Sequence, residues 1–253
     1  MALTRNDEAA PVAMMVHEGM IDVRTPVGMM PVYLARPERD EPTPVVLVMM
    51  EGVGLNAHLR RVARRLAGEG YVALAPDLYW RGGKGRSFGY DEIPKAWSVM
   101  RELYSLDGTR LGDWLDTDIG AAIAYVKGQP FVRGDRIGVT GFCLGGRITI
   151  DVATCFADAI SAAAPFYGAR IPFQDLEKLR APLLGFYGDD DPFIPNADVE
   201  RLRQECERLG KQAEIVVYPG ATHGFFCNER QSYHPEAAQD SWEKTKSWFA
   251  RHL

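Results

Sequence analysis

The chain has 253 residues, of which 46% are apolar and 25% charged, and a formal net charge of -5. That length suits one α/β domain, and no Ser/Pro/Gly-rich linker divides it, so residues 1–253 read as a single unit with a large core. The acidic balance gives no electrostatic footprint for nucleic acid, and the longest apolar run, Val45 to Met50, is far too short to span a bilayer.

Met1 to Pro11 lacks the apolar core of a secretory signal, so a cytoplasmic location is expected. From Val16 to Ala35 the pattern indicates two antiparallel strands around the turn Thr25-Pro26-Val27-Gly28, a plausible sheet edge. Pro44 to Met50 suits a strand covered on both faces. Ala57 to Ala67 follows as a helix closed by Gly68 and Gly70, then Val72 to Ala75 as another short strand. Strand, helix, strand points to a parallel sheet. Arg60, Arg61, Arg64 and Arg65 fall on the outer side of that helix, where a solvated face explains them better than an anion site.

Residues 77–111 break the rhythm with Gly82, Gly83, Gly85 and Gly89 and a weakly helical stretch from Ile93 to Leu106. An insertion of this length is often a lid or substrate wall. Asp113 to Val126 returns to helix, and Arg136 to Thr140 reads as a buried strand leading into the helix Leu144 to Thr154. Three more strands are expected at Ile160 to Phe166, Leu183 to Tyr187 and Glu214 to Tyr218. Helices are expected at Asn196 to Leu209 and from Pro235 to about Phe249. The fold class is α/β, a mainly parallel sheet flanked by helices, with functional residues expected at the carboxyl ends of strands.

At one such end stands Gly141-Phe142-Cys143-Leu144-Gly145. A strand that turns directly into a helix thrusts its turning residue above the sheet, and glycines two positions away remove the collision this would cause. The next N–H then points from the helix N-terminus toward any charge forming there, which serves nucleophilic attack and oxyanion binding together. A free cysteine buried at a tight turn has the same local signature. The other cysteines, at 155, 206 and 227, show neither close pairing nor metal-ligand spacing, so reduced thiols are expected, with Cys155 and Cys206 as packing residues in helices.

After the strand Leu183 to Tyr187 comes Gly188-Asp189-Asp190-Asp191-Pro192-Phe193-Ile194-Pro195, and after Glu214 to Tyr218 comes Pro219-Gly220-Ala221-Thr222-His223-Gly224-Phe225-Phe226. Asp-rich turns and lone histidines are common for local reasons. The chain order Cys, Asp, His at successive strand ends is nevertheless that of the α/β-hydrolase fold.

With these motifs in place the chain resembles the dienelactone hydrolase (carboxymethylenebutenolidase) family from Val45 onward. The most specific segments are Glu51-Gly52-Val53-Gly54-Leu55-Asn56, Pro76-Asp77-Leu78-Tyr79, Gly141 to Gly146, Gly188 to Pro195 and Thr222-His223-Gly224-Phe225. The resemblance implies Cys143 as nucleophile, His223 as base and Asp191 as the acid that orients it, with Asp189 and Asp190 the nearest competitors. A metal role for the three aspartates is weaker, because no His or Glu accompanies them. It also implies that Glu51 hydrogen-bonds the resting Cys143 thiol and helps remove its proton; a carboxylate after a buried strand needs some partner, and merely holding its own loop is the alternative. Gly52 and Leu144 match the oxyanion donors. The expected reaction is hydrolysis of a small ester or lactone through a thioester, needing no cofactor and no metal.

Family members that cleave dienelactone hold the substrate carboxylate with arginines. One of those positions is Cys227 here, with Arg230 further on, and the other registers near Met100 and Arg101, close to a matching Tyr104. Arg81 is a further candidate, and Phe88, Tyr90, Trp97, Phe225 and Phe226 a possible hydrophobic wall. A broader carboxylesterase or thioesterase is the alternative enzyme. A non-catalytic scaffold is the alternative of another class, against which the intact Cys143, Asp191 and His223 set argues. No nucleic-acid or membrane partner is expected, and a monomer is the default.

Overall fold

The computed structural model describes residues 14–83, 85–101 and 113–253. Among the described residues eight strands form one sheet in the order β1-β2-β4-β3-β5-β6-β7-β8. They are β1 (Val16–Thr25), β2 (Gly28–Pro37), β3 (Thr43–Met49), β4 (Val72–Pro76), β5 (Val132–Phe142), β6 (Ala162–Phe166), β7 (Leu183–Gly188) and β8 (Ala213–Tyr218). The β1–β2 hairpin pairs antiparallel and β2 runs antiparallel to β4, whereas every pairing from β4 to β8 is parallel. The sequence reading of a mainly parallel sheet with an antiparallel edge describes this architecture.

Burial explains the strand patterns. Val45 to Met49 and all of β4, β6 and β7 are buried without alternation, as strands covered by helices on both faces must be. The outer strand β1 alternates instead. β5 begins four residues before the expected Arg136, because Val132 pairs with Thr43 before a register shift. Its first half reads as polar because Arg133, Asp135 and Arg136 are exposed.

The helices are α1 (Ala57–Gly68), α2 (Ile93–Met100), α3 (Asp113–Lys127), α4 (Leu144–Cys155), α5 (Asn196–Arg208) and α6 (Pro235–His252). Asn56 caps α1, its side chain accepting from Leu59 N–H at 3.1 Å, and Leu59, Val62, Ala63 and Leu66 form the buried stripe. The arginines of this helix lie opposite. Arg64 and Arg61 reach Glu18 and Glu229, and Arg65 packs 3.9 Å from the Trp242 ring. α4 is buried from Leu144 to Thr154, so even Arg147 is internal and pairs with Asp151 one turn on at 2.7 Å. Cys206 packs in the core as expected, but Cys155 does not: it is exposed at the last residue of α4, where the helix leaves the core. Of the weakly helical stretch expected to Leu106, Ile93–Met100 is helix, and residues 102–106 lie outside the described residues.

No helix among the described residues is long and apolar enough to cross a membrane. The carboxyl ends of β3, β5, β7 and β8 open on one side of the sheet, and they carry Glu51, Cys143, Asp191 and His223.

Candidate active site

Cys143 sits between β5 and α4 with φ 58° and ψ −116°, a conformation that costs a non-glycine residue about 1–3 kcal/mol. Close packing holds it there. A Cβ on Gly141 would lie 2.3 Å from Gly145 O, and one on Gly145 would lie 2.2 Å from Met49 O, so only glycine fits at either position. Cys143 N–H donates to Phe166 O at 3.1 Å, tying the turn to β6.

His223 follows β8 and Asp191 follows β7. His223 Nδ1 and Asp191 Oδ2 are 2.8 Å apart and both residues are buried. Asp191 Oδ1 accepts from Phe193 N–H at 2.9 Å, which fixes the carboxylate. Its neighbour Asp189 is turned elsewhere, accepting from Gly220 N–H at 2.6 Å. The rings of Tyr167 and Phe193 meet the imidazole edge-on at 5.1 and 5.0 Å.

Burial alone would raise the Cys143 thiol, but the charge and hydrogen bond of His223, and the Gly52 N–H, bring it below its ordinary value. Burial alone would lower His223, but the Cys143 sulfur and the Asp191 carboxylate raise it to about 9. The two shifts belong to one coupled pair, sulfur and imidazole, each favouring the charged form of the other.

Gly52 N–H faces the Cys143 sulfur, and Leu144 opens α4, so its N–H has no carbonyl one turn back. The Gly52 carbonyl accepts from Tyr79 OH at 2.6 Å, which orients that peptide. Glu51 is buried, but the expected bond to the resting thiol is not made. The sulfur is engaged by His223 and Gly52, while Glu51 Oε2 accepts from Tyr90 OH at 2.6 Å and from Asn56 Nδ2 at 2.8 Å. In the sequence Tyr90 reads only as a possible wall aromatic, and Asn56 and Tyr79 only as members of their motifs; nothing local marks a hydroxyl that acts across 27 residues, as for Tyr79, or 39, as for Tyr90.

A cavity of about 510 Å³ opens over Cys143, His223 and Glu51. Residues 90–101 line it through Tyr90, Ile93, Ala96, Trp97, Met100 and Arg101, and Phe193 and Arg230 line it as well, Arg230 beside the Tyr90 ring. Of the expected substrate residues, Arg101 lines the cavity, and Tyr104 lies outside the described residues. Two others require correction. Arg81 donates to both oxygens of buried Asp118, at 3.1 and 2.8 Å, and is drawn away from the cavity by that pairing. Phe225 is wholly buried against Tyr167 and Tyr218, so it is a core residue; Phe226 stacks on Phe142 in the same core.

The strand order, the turn at Cys143 and the backing of His223 by Asp191 are those of the α/β-hydrolase class, and the chemistry they support is carboxylic-ester hydrolysis. Residues 30–253 match the model of the Dienelactone hydrolase family. A Synechocystis sp. protein provisionally named carboxymethylenebutenolidase is 39% identical over 231 residues, spanning 87% of this chain and 91% of its own. The crystal structure of a provisionally named dienelactone hydrolase from Klebsiella pneumoniae superposes with a TM-score of 0.82 at 33% identity, covering 94% of this chain and 99% of that one. A dienelactone hydrolase-like promiscuous phosphotriesterase from metagenomic libraries shares the fold, with a TM-score of 0.79 at 24% identity over 95% of this chain and 99% of its own. The chain belongs to the dienelactone hydrolase family and is a carboxylic-ester hydrolase.

Proposed function

We propose that this enzyme hydrolyses small esters or lactones of the dienelactone type through a thioester on Cys143. The observation that carries the reading is the sulfur itself, held between the His223 ring and the Gly52 N–H with Asp191 behind the imidazole. The thiolate attacks the carbonyl carbon, and the carbonyl π pair moves to oxygen, where the Gly52 and Leu144 N–H groups receive it. Each such donor is worth on the order of 10²–10³ in rate. Collapse expels the alkoxide or enolate, which takes the proton from His223. The neutral imidazole then takes a proton from water as its oxygen attacks the thioester, and the carboxylate product leaves the thiolate regenerated. Where Cys143 is protonated, Glu51 is the second group in the cavity able to take that proton.

Arg230 and Arg101 line the cavity and form no ion pair with a described residue, so either guanidinium can meet a substrate carboxylate. Arg230 thereby answers for the arginine that Cys227 replaces. The apolar wall of Ile93, Ala96, Trp97 and Met100 favours a second reading, a broader carboxylesterase or thioesterase acting on neutral substrates. Steady-state hydrolysis of cis-dienelactone beside p-nitrophenyl acetate, with wild type and Cys143→Ala together, separates them. A Cys143-dependent preference for the lactone is expected. Turnover of the neutral ester alone discards the lactone and keeps the mechanism, and turnover that survives Cys143→Ala ends both readings.

A further inference from the structure

Glu51 is held asymmetrically. Both of its donors, Tyr90 OH and Asn56 Nδ2, serve Oε2, while Oε1 is buried without a hydrogen-bond partner among the described residues. Proton counting fixes the direction of every bond around it. Asn56 Oδ1 is committed to capping α1, so its amide nitrogen must face Glu51, and its second proton reaches Tyr90 OH at 3.1 Å. A phenol has one proton to give, and Tyr90 spends it on Oε2. The contact of 3.2 Å between Tyr90 OH and Cys227 Sγ therefore has Cys227 as the donor. Burial raises both the Tyr90 hydroxyl and the Cys227 thiol, which keeps these protons in place.

The same Tyr90 is part of the cavity wall. Its ring lies 5.1 Å from the Arg230 guanidinium carbon, and its loop is fastened to the Glu51 turn by Phe88 N–H donating to Val53 O at 2.8 Å and by the bridge between Gly54 and Ser87. A carboxylate gripped by one oxygen has its orientation fixed and leaves its other oxygen, here buried Oε1, unpaired.

We propose that Tyr90 is a positioning residue for Glu51: with Cys227 and Asn56 it grips Oε2 and so reserves Oε1 as the oxygen that accepts the Cys143 proton. The inference rests on the reading of Glu51 as a proton acceptor, and it makes that role conditional on the wall segment being seated. The titratable groups about Glu51 are Tyr90, His58, Cys143, Tyr167 and Cys227.

The test is a double-mutant cycle of Tyr90→Phe and Glu51→Gln on the full-length enzyme, with p-nitrophenyl acetate as substrate and kcat and KM read separately. Phenylalanine keeps the ring, the wall and the Arg230 stack, and removes only the hydroxyl. Tyr90→Phe is expected to lower kcat roughly tenfold or more, the scale of a hydrogen bond to a charged group, with KM little changed. In the Glu51→Gln background the same change is expected to cost almost nothing more. Equal losses in both backgrounds, wild-type activity of Tyr90→Phe, or a Glu51→Gln enzyme as fast as wild type would each overturn the proposal while leaving the hydrolase standing. Only activity retained by Cys143→Ala would remove the hydrolytic reading beneath it.

Discussion

Cys143 and His223 share one proton economy, and their shifts have opposite directions. The sulfur lies below its ordinary value because His223 faces it, and His223 is raised to about 9 because the sulfur and Asp191 face the ring. Iodoacetamide is therefore expected to label Cys143 at lower pH than the buried Cys206, and ahead of the exposed Cys155, as read by peptide mass. Labelling falls as the pH drops through the sulfur's value and the thiolate is protonated. His223→Ala removes the neighbour that lowers it, and the low-pH labelling should vanish. On the alkaline side the imidazolium that protonates the leaving group is lost, so kcat/KM is expected to fall as pH rises through about 9. Cys143→Ala should abolish turnover with the thermal midpoint nearly unchanged. A collapse of folding in that variant would make the residue structural instead.

The elements around the site are held by backbone contacts too close for any side chain. Gly146, one turn into the elbow, is the clearest case, since an added Cβ would lie 2.2 Å from Phe166 O and 2.8 Å from Gly168 N. Neither atom can move without breaking β6 from the elbow. Gly146→Ala is expected to destabilise the fold by about 1–3 kcal/mol through overpacking, measured as a shift of the urea midpoint. Gly68, the last residue of α1, has nothing within 4 Å of an added Cβ. Gly68→Ala should move the midpoint the other way, by up to about 1 kcal/mol. The sign difference separates helix propensity from close approach, and equal effects at both positions would contradict the packing described here.

Across the molecule, two arginines near the insertion have different tasks. Arg81 and Trp80 converge on Asp118 of α3, which is fully buried, and this fastens the start of the insertion to the helix layer. Arg230 faces the cavity over Tyr90. Arg81→Met is expected to lower the unfolding midpoint, by up to about 3 kcal/mol for a buried carboxylate deprived of its cation, and to leave KM alone. Arg230→Met should raise KM for an anionic lactone about tenfold and spare neutral p-nitrophenyl acetate. Exchange of these two phenotypes would return the carboxylate site to Arg81.

The sheet, its helices and the elbow were legible along the chain because each depends on neighbours in sequence. Apolar runs mark β3, β4 and β7, 3.6-residue periodicity marks α1, and glycines two residues either side of Cys143 mark the turn. The order Cys143, Asp191, His223 was equally legible, since the residue after a parallel strand always emerges on the same side of the sheet. Which long side chain reaches the cavity was not, because that depends on partners tens of residues away. Arg81 and Phe225 looked equal to Arg101 and Tyr90 until Asp118 claimed the first and the aromatic core the second. The partner of Glu51 was hidden for the same reason. A buried carboxylate announces that it needs donors, and only the tertiary structure decided that Tyr90, Asn56 and Gly52's neighbour in space, Tyr79, would set the groups around Cys143.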